Sequence, residues 1–159
     1  MRYVGFTGHK SAEIHLNMLD AADKHGFSFD AVQLPLNVMD AHLAGFEKRV
    51  LPRLLEKNIG VLGMKPMGSG VILKSNAVSA VECLQYALSL PTSVVITGCD
   101  SFKILEQALG VARSFQPLLA AERTALLART EKSAREQKYE LYKTSQEFDG
   151  TEKSPHWLG

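Results

Sequence analysis

What constrains this chain most is a repeat. Four short apolar runs, Tyr3–Thr7, Ala31–Leu34, Gly60–Met64 and Ser93–Thr97, begin 28, 29 and 33 residues apart. A helical pattern follows each of them. One strand and one helix per repeat demand crossover connections, and hence a parallel sheet in an α/β fold. The first run, stopped by Gly8, reads as a buried strand. Ser11 opens a helix with Ile14, Met18, Leu19 and Ala22 spaced three and four apart, and Gly26 stands where a C-cap glycine belongs. His15 and His25, on or beside that helix, are expected to face solvent. Phe46 to Lys57 puts Val50, Leu51, Leu54 and Leu55 on one face, with Pro52 imposing a late start or a kink. Ser79-Ala-Val-Glu82 is a capping box, and Asp100 or Ser101 caps a helix running toward Ser114.

Composition bounds the function classes. Lys and Arg (18) nearly balance Asp and Glu (17), so no charge excess points to nucleic acid or an anionic membrane. The uncharged stretch from Cys83 to Cys99 holds Gln, Ser, Thr and Pro and is not a membrane span. Two cysteines make no disulfide framework. With Met1 leading straight into the first strand, this points to a cytoplasmic location. Residues 1–115 form the repeat. Residues 116–159 are read as a helix over Ala120–Arg129 and a polar, aperiodic tail from Ser133, which docks through Tyr139, Tyr142, Phe148 and Trp157.

Four units leave three architectures open: an open doubly wound sheet, half of a (βα) barrel, or a half-barrel that dimerises. A closed barrel of this kind takes eight strands. Ligands of parallel α/β folds bind at the carboxyl ends of strands. Those ends are Thr7-Gly8-His9, Gln33 with Asn37, Met64-Lys65, and Gly98-Cys99-Asp100-Ser101. Small, polar and cationic groups at all four favour a ligand mouth.

These strand ends, in this order, resemble the second half of the aldo/keto reductase family, an eight-stranded barrel that reduces carbonyls with NADPH. Arg2–Gly8 looks like its fifth strand, Ala31-Val-Gln-Leu-Pro-Leu-Asn37 its sixth, Gly60–Gly70 its seventh with the following loop, and Ser93–Gly98 with Ile104-Leu-Glu-Gln107 its eighth. The fold so implied is four parallel βα units equivalent to half of a TIM barrel, plus a C-terminal helix and tail. By resemblance, Thr7 and Gln33 hold the nicotinamide carboxamide, and Met64 takes the place of an aromatic ring beneath the nicotinamide. Met67, Gly68 and Gly70 line the pyrophosphate loop, with Lys65 replacing a serine beside it. Gly98, Asp100, Ser101 and Gln107 surround the adenosine end. NADP(H) is the expected cofactor, with NAD(H) as the alternative because Asp100 repels a 2′-phosphate. The family's Asp, Tyr, Lys and His tetrad belongs to strands this chain lacks. The resemblance therefore implies no catalytic residue here, and a small carbonyl substrate only in a completed barrel. The partner it implies is an N-terminal half or a second half-barrel.

Other chemistries compete for the same residues. His9, Asp40 and His42 are metal-ligating types without ligand spacing. Cys99 is a candidate reactive thiol and Cys83 a core cysteine. Met64 and Met67 suit core packing as well as a cofactor bed. Lys65, at the end of an apolar strand, suits a Schiff-base aldolase. Open sheet edges suit a non-catalytic interaction module.

Overall fold

A computed structural model describes residues 2–145, Ser154 and His156. The first repeat is strand β1 (Gly5–Thr7) and helix α1 (Ala12–Lys24). The second is β2 (Ala31–Pro35) with two short helices, α2 (Phe46–Arg49) and α3 (Leu51–Glu56). Then come β3 (Gly60–Met64), α4 (Ala80–Leu88), β4 (Val94–Val95) and α5 (Phe102–Arg113). Helices α6 (Ala120–Arg135) and α7 (Leu141–Thr144) close the described chain. The four strands are all parallel and lie in the order β1-β2-β3-β4.

That order decides the layering. A doubly wound sheet reverses direction at a switch point, whereas here every crossover steps the same way. Right-handed crossovers that never reverse keep their helices on one face. The register aligns Phe6, Val32 and Val61, and beside them Leu34 with Gly63. Val32, Leu34 and Val61 join Leu19, Leu51, Leu54 and Cys83 in the core. The alternate residues Thr7, Gln33, Leu62 and Val94 also align across the sheet, on its other face. None of them is buried. The sheet thus has a helix-covered face and an open one.

The edges correct two expectations. The first strand is not buried: it spans Gly5–Thr7 alone, with Gly5 and Thr7 exposed and Tyr3 outside it at 72% exposure. The fourth contracts to Val94–Val95, leaving Val94 and Ile96 exposed. Both are outermost strands, and an edge strand has a neighbour on one side only.

Local signals hold more closely. Ser11 caps α1 by accepting from the Ile14 amide at 3.4 Å, and Gly26 takes φ +65° just past the helix end. The second helical pattern breaks at Val50, and Pro52 occupies the first turn of α3, where its missing N–H costs nothing. The Ser79–Glu82 capping box forms in both directions. Ser101, not Asp100, caps α5.

The C-terminal region departs most from expectation. Helix α6 runs on to Arg135, and α7 follows where an aperiodic tail was expected. Leu126 and Ala134 join the core, and Tyr142 is 1% exposed. Of the aromatic docking groups, Tyr139 and Tyr142 pack inward, while Phe148 and Trp157 lie outside the described residues. His15 is likewise buried at 2% exposure, because it sits on the core-facing stripe with Ala12 and Leu19. His25 is exposed.

Candidate functional site

Past the carboxyl ends of β2, β3 and β4 lies an open-sided cleft of about 620 Å³. Its volume falls within the roughly 300–1,000 Å³ typical of small-molecule sites. Of the sequence-predicted binding residues, Gln33, Met64, Lys65, Met67, Gly70, Gly98 and Asp100 line it, together with Ser69, Thr97 and Cys99. Four residues are not in its wall. Thr7 is exposed on the edge strand, and Gln107 is exposed on α5. Ser101 spends its hydroxyl on the Ile104 amide at 3.3 Å. Gly68 is buried under the loop, where a Cβ would stand 2.9 Å from Ile72 Cγ1 and 3.0 Å from the Tyr139 carbonyl oxygen.

The polar groups at the floor converge. Gln33 donates from Nε2 to Met64 Sδ at 3.1 Å. Residues Lys65, Gly68, Ser69 and Gly70 all take positive φ, from 55° to 82°. A non-glycine residue held there costs about 1 kcal/mol or more and persists only where its surroundings over-determine it. Lys65 donates from Nζ to Ser69 Oγ at 2.8 Å, bringing a cation to the loop. Nothing lies within 4 Å of a Cβ built on Gly70, so ligand atoms can approach its backbone. Thr97 Oγ1 is buried on the cleft wall without a hydrogen-bond partner. Cys99 is exposed on the rim, whereas burial pushes the Cys83 thiol up to about 12, leaving it protonated.

Behind the loop lies a buried polar cluster built on Asn37, a strand-end residue whose partners Glu140, Tyr142 and Lys143 strand-end reasoning missed. Asn37 Oδ1 accepts from the amides of Met39 and Asp40 at 2.9 and 3.0 Å, folding the chain back after β2. Its Nδ2 donates to Tyr142 Oη at 2.8 Å, and to Glu140 Oε1 and the Lys65 carbonyl at 3.2 Å each. Tyr142 donates in turn to Glu140. Burial, then the negative charge of Glu140, hold that phenol well above its usual pKa. Lys143 bridges Asp40 at 2.5 Å and Glu140 at 3.0 Å. The sequence signals for it were separate ones, Asn37 past the second strand, Asp40 as a ligand-type residue and the aromatic content of the tail, and none of them pointed to the others.

Two of the three candidate metal ligands are engaged otherwise, Asp40 partly within this cluster and His42 outside it. Asp40 accepts from the amides of Phe46 and Glu47 at 3.1 and 2.7 Å and so caps α2. His42 meets Thr130 Oγ1 at 2.9 Å. Among the described residues, no group of three or more His, Cys, Asp or Glu is arranged to hold a metal ion. No described helix is long and apolar enough to cross a membrane. No family model matches the chain, and no curated protein matches it.

Proposed function

We propose that this chain is the cofactor-binding half of an aldo/keto-reductase-like (βα) barrel, taking NADP(H), or NAD(H), for the reduction of a small aldehyde or ketone. The observation that carries the reading is the cleft at three strand ends. Seven of the eleven residues singled out by resemblance line it. The unreversed strand order and the open sheet face support the half-barrel part. Alternate residues of a barrel strand point into the barrel, so Thr7, Gln33, Leu62 and Val94 would become interior once further strands closed the sheet.

The helices support closure in the same way. Glu13 and Asp20 of α1 reach Arg49 and Arg53 of the neighbouring unit. Ile14 and Met18 lie on the other flank of α1, exposed at 62% and 43%. At the opposite end of the sheet, α5 exposes Phe102, Leu105 and Leu109 and buries Val111 alone. Both terminal helices therefore keep an apolar flank for a further βα unit on either side.

The residues present fit a dinucleotide in part. Gln33 offers amide donors and an acceptor to the nicotinamide carboxamide, and the Met64 thioether offers a polarizable surface to its ring. Lys65, Ser69 and the Gly70 backbone offer a cation, a hydroxyl and an approachable chain to the pyrophosphate. Asp100 sets its charge against a 2′-phosphate. When bound, the cofactor supplies the hydride; these residues orient it. The proton for the developing alkoxide comes from the complementary half.

Titration of the 159-residue chain with NADPH and NADH, followed by nicotinamide fluorescence, tests this reading. The expected result is weak binding at most, because half of the barrel is absent from the site, lowered about a further tenfold in Lys65→Ala by loss of a charge-assisted contact, with no carbonyl reduction. Turnover by this chain alone overturns the half-barrel part, and Lys65→Ala binding either nucleotide as well as the unaltered chain does overturns the site.

A further inference from the structure

The loop that shapes the cleft is held from behind by a segment that contributes no lining residue. Three observations converge on it. Tyr142 and the Lys65 carbonyl share one donor, Asn37 Nδ2, at 2.8 and 3.2 Å. The Tyr139 carbonyl oxygen lies 3.0 Å from where a Cβ on Gly68 would stand, closer than an ordinary contact. The Lys65 ammonium stands 5.7 Å from the centroid of the Tyr142 ring while it bonds Ser69. The segment making these contacts lies more than sixty residues further along the chain.

We propose that residues 139–143 form a positioning strap, in which Tyr142 and Glu140, acting through Asn37, lock the Lys65–Gly70 loop in its ligand-binding conformation. The loop needs such a lock, because four of its six residues hold positive φ and two of those are not glycine. Its own hydrogen bonds are short-range: the amides of Gly68, Gly70 and Val71 bond Lys65, Met67 and Gly68 carbonyls at 3.0, 2.9 and 3.3 Å. Such turns close and open locally unless something remote pins them. The strap is pinned at its far end by Lys143, seated between Asp40 and Glu140. Tyr142 and Glu140 are thus positioning residues, acting on the loop through Asn37 and lining no part of its cleft. That the ligand is a dinucleotide rests on the reading above, whereas the strap's hold on the loop does not.

The experiment compares Tyr142→Phe with Tyr86→Phe by amide hydrogen exchange and by NADPH titration, both in the full chain. Tyr86 is an equally buried phenol bonded to a carboxylate, Glu47, on the helix-covered side of the sheet. Both variants lose a buried hydroxyl, so both lose stability. Only Tyr142→Phe is expected to accelerate exchange at Gly68, Gly70 and Val71 selectively, by about fivefold, and to weaken NADPH by a similar factor. Should Tyr142→Phe fail to fold, Glu140→Gln reads the same amides with a smaller change. Selective loop exchange, with Lys65→Ala binding NADPH as well as the unaltered chain does, upholds the strap and sinks the cofactor reading. Exchange that rises uniformly, or equally in both phenylalanine variants, overturns the strap whatever happens to NADPH.

Discussion

His15 shows how much one position on a helix decides. Three residues after Ala12 and four before Leu19, it faces the core and stacks edge-on against Phe46 at 5.0 Å. Burial drives its pKa below the ordinary 6.5, outweighing two carbonyl partners, Gln33 and Ser11, that favour the charged ring. The folded state therefore binds this proton less readily than the unfolded chain does. The stabilisation is complete above about pH 6.5 and is lost as pH falls from there through the folded-state value. His42 shifts the same way, also chiefly by burial. The thermal midpoint is expected to drop between pH 7 and pH 5, with a shallower slope in His15→Gln, where His42 still acts in the same sense and Glu47, whose carboxyl burial pushes up, acts against it. Parallel profiles for the two proteins would remove His15 from the account.

Elements formed where local chemistry and tertiary packing agree, and shifted where they compete. The α4 capping box needs nothing beyond its own four residues: Ser79 Oγ accepts from the Glu82 amide at 3.3 Å, and Glu82 Oε2 accepts from the Ser79 amide at 2.8 Å. Ser79→Ala should cost about 1 kcal/mol, read as a lower urea midpoint with an unchanged slope. An unchanged midpoint would mean that the Arg129–Glu82 ion pair, which ties α6 to the same turn, carries that end alone. Helix α6 was legible at its start and not at its end. Its stretch beyond Arg129 has no apolar stripe of its own, and Thr130 and Ala134 are buried only because α6 packs back over the turn at Asp40–His42.

At the scale of the whole molecule, both ends of the sheet expose apolar helix flanks. The exposed large apolar side chains include Ile14 and Met18 on α1, and Phe102, Leu105 and Leu109 on α5. A contiguous exposed apolar patch is a common mark of an interaction site. The half-barrel reading predicts association that grows with concentration, since a second copy offers the same two ends in complementary order. Leu105→Glu with Leu109→Glu should hold the chain monomeric in sedimentation, while changing unfolding stability by less than about 0.5 kcal/mol per exposed site. A wild-type chain that stays monomeric at every concentration leaves self-association with no support.

The sequence by itself determined the repeat, the parallel sheet, the caps and the strand ends that meet at the cleft. Those depend on spacing and on turn chemistry within a few residues: Gly26 past α1, Pro52 in α3, Gln33 and Lys65 at strand ends. Only the tertiary structure decided the rest. It turned Tyr142 from a tail residue into one of the most deeply buried side chains, and it joined Asn37 to Glu140 across 103 positions of sequence. It also took Thr7, Ser101 and Gln107 out of the cleft wall. The physical reason is range. A cap or a turn is settled by neighbours along the chain, whereas a buried hydrogen bond between distant residues exists only once the packing that excludes water has brought them together.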